Sequence, residues 1–402
     1  MLHALTIENF YSVLDEQVVD LRVADNAPEM PHRFAPLWMG SDTRAPKVIA
    51  VFGANASGKS TILRALSFIA WFLRDSFGIA PDGGLPFERF NSNDGRARST
   101  RLSVSLGGLV DPEDDRPDAP ECLYHYELEL GGPIRTTVER EALYYWPPPF
   151  HRKVRLFERD MEGKVIGGTG FPLSGFSQAL GKILRPNASV ISTLAQLKHP
   201  FATAIWEMAQ RVYSNILIER ADGLEDQVVR LYASDPMLMA SLNREIERID
   251  LGISGIRVDQ GPNGPLMLFA HHGHDGLMPL MLESQGTRMF LRLYPALLKA
   301  LDVGGIAILD ELDTAIHPLI LPEILRWFQD PARNPHNAQL WMTCHNASLL
   351  EELEKEEIFF TEKDATGRTE IFALSDIKAV RREDNHYRKY LAGAYGAVPS
   401  IG

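Results

Sequence analysis

The chain has 402 residues, 45% of them apolar, and a formal net charge of −12. That length supports two or three lobes with a substantial core, at an apolar content ordinary for a soluble globular protein. It holds no apolar run long enough to cross a bilayer and no signal-peptide pattern, and its two cysteines, Cys122 and Cys344, lie far apart with no metal-ligand spacing; the expectation is a cytoplasmic protein with reduced thiols and no membrane partner. An acidic total does not predict nucleic-acid binding, which would need a local basic patch.

In chain order, Leu5 to Phe10 alternates like a strand and Val18 to Val23 reads as a second. The polar, proline-bearing stretch from Asp25 to Pro46 is expected to be a surface loop. A buried strand, Val48 to Phe52, then precedes a helix through Ile62 to Phe72 that ends before Gly78. Ala80 to Arg98, rich in Gly, Pro, Asn and Asp, reads as loop. Thr100 to Leu106, Cys122 to Leu130, Val138 to Trp146 and Val154 to Glu158 read as successive strands of an antiparallel sheet beside the core. From about Phe176 to Asp250 the period turns helical. Ala202, Ile205, Trp206, Ala209, Val212, Tyr213 and Ile216 fall on one stripe, read as a helix face packed into a core, and Pro236 to Ile249 is another candidate. Heptads are not sustained, so a compact helical lobe is expected and not a coiled-coil arm. Ile253 to Val258 and Leu266 to Ala270 return to strand character, with no internal repeat or low-complexity tract along the way.

The most specific signal is Gly53-Ala54-Asn55-Ala56-Ser57-Gly58-Lys59-Ser60-Thr61, which reads G-x-x-x-x-G-K-S between strand and helix. Its glycines let the backbone wrap phosphates with N–H groups turned inward, at the positive end of a helix dipole. Lys59 is placed to reach the β- and γ-phosphates, and Ser60 to hold Mg²⁺ through its hydroxyl. Gly305 to Leu309 is an apolar strand ending in Asp310 and Glu311. At a strand's carboxyl end Asp310 suits the Mg²⁺ shell, and Glu311 suits orienting or deprotonating a water. Leu340 to His345 is a further strand, and His345 at its end is placed to contact the γ-phosphate. Ser284 opens a helix through Phe290, Leu293 and Leu297, as an N-cap or as part of an anion site. The NKxD-type base reader is absent, which favours ATP over GTP. His271, His272 and His274 read as a surface turn, Arg381 and His386 as a solvated helix face, Asp111 to Asp118 as a solvated acidic loop, and Glu351 to Glu357 as a charged helix end.

The order of these motifs resembles the ATP-binding-cassette class of ATPases, in its SMC-like and OLD-type branch. The opening Ile-x-Asn-Phe-x-Ser of Leu5 to Ser12 is similar to that branch's first strand. Asp310-Glu311-Leu312-Asp313-Thr314-Ala315-Ile316-His317-Pro318 resembles the D-E-L-D-x-x-x-H-P segment of its stand-alone bacterial members, and Tyr390 to Pro399 resembles their ending. The resemblance is weak between about Gly163 and Gly255. It implies a P-loop NTPase fold of α/β class, with an antiparallel β lobe and a compact helical insertion. The divisions expected are 1–160 for an N-terminal ATPase lobe, 161–250 for a helical insertion and 251–402 for a C-terminal ATPase lobe. It implies ATP and Mg²⁺ as ligands, with Gly53, Asn55, Gly58, Lys59, Ser60 and Thr61 as the phosphate loop. Ser284 and Gly286 match the signature, Asp310 and Glu311 the acidic pair, Asp313 the D-loop acid and His345 the switch histidine. The family's Gln after the first helix has no counterpart between Ala80 and Arg98; Asn91 is the nearest stand-in for that Mg²⁺ contact.

In that class the signature of one subunit caps the γ-phosphate held by another, which implies a head-to-tail homodimer or a higher even oligomer. Members are commonly tied to anti-phage defence and act with a nuclease or toxin effector of TOPRIM or RloB-like type, and nucleic acid is left open as a further partner. The first reading is thus an ATPase that drives or senses a conformational change for such an effector. The alternatives are an SMC-like DNA maintenance or repair ATPase, and an ATP-bound scaffold with slow hydrolysis. A transporter subunit fits poorly, because the span from phosphate loop to signature is long for a transport cassette; a self-contained nuclease fits poorly, because no second acidic metal cluster follows His345.

Overall fold

The computed structural model describes residues 1–132, 136–216, 218, 224–249, 252–262, 264–313 and 320–398. Thr314 to Pro318 of the acidic segment, and Pro399 of the tail, therefore lie outside the described residues. In chain order, β1 (Leu2–Glu8) and β2 (Gln17–Asp20) form an antiparallel pair. A short hairpin, β3 (Phe34–Pro36) and β4 (Arg44–Pro46), follows inside the stretch expected to be loop. Each of its strands has three residues and ends in proline, too short to show a period of two. The strand β5 (Val48–Phe52) feeds α1 (Lys59–Asp75), and the short helix α2 (Asn93–Ala97), capped by Ser92, lies in the second expected loop. Then come β6 (Thr100–Leu109), β7 (Glu121–Gly131), β8 (Thr137–Trp146), β9 (Val154–Arg159) and β10 (Val165–Gly167). The second half holds α3 (Ser177–Ile183), α4 (Val190–Gln196), α5 (Pro200–Gln210), β11 (Val212–Ser214), α6 (Leu224–Ser234) and α7 (Pro236–Ile249). It continues with β12 (Ile253–Gly261), β13 (Gly264–His271), β14 (Leu277–Pro279), α8 (Gln285–Val303), β15 (Ile306–Leu309), α9 (Leu321–Gln329), β16 (Gln339–Thr343), β17 (Ile358–Lys363), β18 (Thr369–Ala373) and α10 (His386–Leu391).

Two large sheets face each other across α1. The antiparallel sheet runs β10-β9-β8-β7-β6-β1-β2. Its burial alternates along β7, so one face packs inward and the other meets solvent. The second sheet runs β11-β15-β16-β5-β17-β18, parallel except for the β17–β18 edge. All five residues of β5 are buried, the pattern of a central strand covered on both faces. Ile49 and Val51 pack with α1 and the antiparallel sheet; Val48, Ala50 and Phe52 pack with α8, α9 and the β12–β13 hairpin. Helix α1 is buried almost all round because it is the filling between sheets.

The described residues of the stretch 161–250 are mainly helical, and their helices divide between two cores. Helices α4 and α5 pack on α1, whereas α6 and α7 join the core of β12, β13 and α8. The stripe from Ala202 to Ala209 is helical, but the helix ends at Gln210, and Val212 and Tyr213 enter β11 beside β15. Apolar residues keep falling at helical spacing across that boundary, so period alone could not mark it.

Candidate functional site

The carboxyl ends of β5, β15, β16 and β17 share one edge of the parallel sheet, where such sheets carry their ligands. The phosphate loop leaves β5 through Gly53 (φ 149°) and enters α1 through Gly58 (φ 110°). Both are left-handed positions. A Cβ at Gly53 would run into the Thr361 carbonyl, and one at Gly58 into the Thr369 hydroxyl. The glycines are thus required by strands β17 and β18, which close over the loop from behind. Ser57 Oγ lies 2.6 Å from Thr361 Oγ1, and Thr369 Oγ1 donates to the Ser57 carbonyl at 2.8 Å.

Lys59 is only 5% exposed. Its Nζ donates to the carbonyls of Gly53 (2.9 Å) and Ala54 (3.0 Å). Burial holds its pKa below the usual lysine value, and nearby Asp310, Asp313 and Glu311 oppose that shift. Ser60 Oγ donates to Asp310 Oδ1 at 2.9 Å. Thr343, at the end of β16, donates through Oγ1 to the same carboxylate oxygen at 2.6 Å and accepts from the Glu311 N–H at 2.7 Å. Glu311 itself has φ 52°, a left-handed conformation that a non-glycine residue adopts only when its surroundings hold it. His345 Nε2 stands 4.0 Å from Glu311 Oε1. Asp313 Oδ2 accepts from the backbone N–H groups of His345 (2.8 Å) and Asn346 (2.6 Å), fixing the turn that presents the histidine.

The opening segment has a mechanical role here. Asn9 Oδ1 accepts from the Phe90 N–H at 3.2 Å, and its Nδ2 donates to the carbonyls of Gly95 and Arg98, both at 2.8 Å. The Tyr11 N–H donates to the Glu88 carbonyl at 2.9 Å. Asn9 and Tyr11 are both left-handed, with φ 51° and 48°. Together they pin the loop 88–98 beside the phosphate loop. Ser12 Oγ lies 2.9 Å from Thr61 Oγ1 and 2.8 Å from Thr369 Oγ1.

These elements enclose a cleft of about 650 Å³ lined by Asn55, Ala56 and Gly58 to Thr61 of the phosphate loop, by Tyr11 and Ser12, by Glu88 to Asn91, and by Glu311, His345, Lys363 and Gly367. Asn91 therefore reaches the cleft, although its Oδ1 accepts from Arg96 Nη2 at 2.7 Å. Ser284 and Gly286 are not among the described residues that line it. Ser284 caps α8, accepting from the Thr287 N–H at 3.1 Å. Among the described residues no group of three or more His, Cys, Asp or Glu side chains is arranged to hold a metal ion. A cation would rest on the Ser60 hydroxyl, the Asp310 carboxylate and phosphate oxygens. That donor set suits Mg²⁺, which keeps waters and few protein ligands. Cleft, glycine cradle and donor set fit a nucleoside triphosphate with Mg²⁺.

Asn215, Thr343, Thr361 and Thr369 were not singled out from the sequence. Thr343 carried a signal, being two residues before His345. Asn215 carried none, because its stretch read as helix.

A strand, a phosphate loop and a helix, with an acid-tipped parallel strand alongside, define a P-loop ATPase-type core. The chain belongs to the family described as "AAA domain, putative AbiEii toxin, Type IV TA system", whose model matches residues 48–152 and 185–351. No curated protein matches it in sequence. Similar solved structures include an SMC head bound to the C-winged helix domain of ScpA, at 11% identity and TM-score 0.48, covering 94% of this chain and 99% of that one. An SMC head domain from Thermotoga maritima has 14% identity and TM-score 0.40, covering 92% and 98%. A Pyrococcus furiosus Smc head with an extended coiled coil, bound to the C-terminal domain of ScpA, has 12% identity and TM-score 0.37, covering 92% and 96%. Among the described residues no helix is long and apolar enough to cross a membrane.

Proposed function

We propose that the chain binds and hydrolyses ATP with Mg²⁺ in this cleft, and that it works as a head-to-tail dimer to control a separate effector. The observation that carries the reading is the convergence of Ser60, Asp310, Thr343 and Glu311 within one hydrogen-bonded chain at the mouth of the phosphate loop. Lys59 would exchange its two carbonyl partners for phosphate oxygens, an exchange favoured by the low-dielectric setting that now disfavours its charge. Ser60 and Asp310 would hold Mg²⁺, which when bound neutralises charge developing on the phosphates. Glu311 would orient the attacking water and accept its proton, and His345, which lines the same cleft 4.0 Å from Glu311, would address the terminal phosphate. The chain's own contribution is positioning and charge stabilisation.

Ser284 and Gly286 lie outside the cleft's lining, which supports a pocket completed by the signature turn of a facing copy. The family's description names a toxin system, which supports an output of toxin type; a nuclease or toxin effector in anti-phage defence is the form proposed for it. The test is Glu311→Gln. ATP affinity should stay within about threefold while turnover falls by two orders of magnitude or more, and the dimer should persist with ATP on a sizing column. Normal turnover in that variant removes Glu311 from the mechanism.

A further inference from the structure

The acidic pair is gripped by a residue that is not among those lining the cleft. Asn215, the first residue after β11, spends its whole amide on one neighbour. Its Nδ2 donates to the Asp310 carbonyl at 3.0 Å, and its Oδ1 accepts from the Asp310 N–H at 2.8 Å. The Asn215 N–H meanwhile donates to the Ile308 carbonyl at 3.1 Å. The side chain thus extends the β11–β15 ladder past the point where both strands end. A carboxamide places a donor and an acceptor in one plane to do this, which an ionised carboxylate cannot.

The grip matters because the next residue in the chain is strained. Glu311 sits at φ 52°, a left-handed conformation that L-residues resist. Thr343 holds the far side of that turn through the Glu311 N–H and the Asp310 carboxylate. Asn215 holds the near side. Without it both backbone groups of Asp310 lose a partner and the turn can relax toward right-handed geometry. That would swing the Glu311 carboxylate and break the Ser60–Asp310 contact. Next to Asn215, Ser214 Oγ lies 2.9 Å from Ser67 Oγ on α1, so the same segment spans the phosphate-loop helix and the acidic turn.

We propose that Asn215 is a positioning residue for hydrolysis, holding Asp310 and Glu311 in their working geometry without itself touching substrate. The proposal rests on the ATPase reading above. In the full chain, Asn215→Ala should lower kcat about 10- to 100-fold, the range for losing an outer-shell partner. The Mg²⁺ concentration for half-maximal turnover should rise, while ATP affinity stays within about twofold and Tm within a few degrees. Asn215→Asp supplies a distinctive readout. Protonated, the introduced carboxyl can still donate to the Asp310 carbonyl and accept from its N–H; ionised, it can only accept and faces the carbonyl with like charge. Relative turnover of that variant should therefore be best at low pH and fall as pH rises, which a general loss of structure would not produce.

Unchanged kcat in Asn215→Ala, or kcat, ATP affinity and Tm falling together there with a flat relative pH profile in Asn215→Asp, overturns the proposal. Glu311→Gln measured alongside separates the levels. If Glu311→Gln is inactive and Asn215→Ala is normal, only the role of Asn215 fails; if Glu311→Gln turns over normally, the ATPase assignment of the pair fails first.

Discussion

Gly58 shows at single-residue scale how the phosphate loop depends on parts of the chain remote from it. Its φ of 110° and the Thr369 and Ser12 hydroxyls behind it leave no room for a side chain. Gly58→Ala should cost about 1–3 kcal/mol and abolish ATP binding; a chemical melt and a nucleotide-binding titration read the two effects. Glu357 makes a second prediction at this scale. Burial pushes its pKa up to about 7 against the opposing charge of Arg33, whose Nη1 lies 2.6 Å from its Oε2. A carboxyl with a raised folded pKa binds its proton more tightly in the native state. Its contribution to stability is complete below the unfolded pKa and is lost as pH rises through about 7. Glu357→Gln should flatten that loss, by on the order of 3 kcal/mol at most, read as a smaller drop in urea midpoint between pH 5 and pH 8 than in the native sequence.

Among elements, the instructive pair is the opening strand β1 and the loop 88–98. The loop is tied to the opening segment at several points: Asn9 supplies three bonds to it and Tyr11 a fourth, and Arg98 pairs with Glu8 and Asp15. Asn9 is fully buried, so Asn9→Ala leaves the Phe90 N–H and two carbonyls without their partner. We expect a loss of about 2–3 kcal/mol and faster amide exchange confined at first to residues 88–98, together with weaker ATP binding. Exchange that quickens uniformly across the chain would mean that the loop is held by something else. This also gives a physical sense to the Ile-x-Asn-Phe-x-Ser pattern. The Asn holds the loop, the Phe enters the core against Phe68 and Phe87, and the Ser meets the first turn of α1 at Thr61.

For the molecule as a whole, the two sheets and α1 form one body, stitched at its base by Gln339. That side chain accepts from the Leu2 N–H and donates to the carbonyls of Leu2 and Pro46. The phosphate loop and the helix that starts at Ser284 stand on opposite sides of the parallel sheet's packing, with α1 in one core and α8 in the other. If a facing copy completes each pocket, two inactive variants should rescue one another. Lys59→Ala and Ser284→Arg should each be inactive alone, and an equal mixture should recover about a quarter of native turnover, because half the dimers carry one intact pocket of two. A mixture as inactive as its components argues against the shared pocket.

Local pattern alone disclosed the phosphate loop, the acid-tipped strand and the strands of the antiparallel sheet. Each is a short run whose period or glycine spacing is dictated by backbone sterics and by the chemistry of phosphate. The tertiary structure decided what local pattern cannot encode. It ended the helical stripe at Gln210 and turned the next residues into an edge strand, in which Val212 and Tyr213 pair with Ile306 and Ala307 of β15. It divided the segment 161–250 between two cores. It also brought Asn215, Thr343 and Thr369 up behind the site's residues, from positions 95, 33 and 312 residues away in sequence from the groups they bond. A hydroxyl or amide acquires such a role only when a distant strand arrives beside it, and nothing in its own neighbourhood of the chain records that arrival.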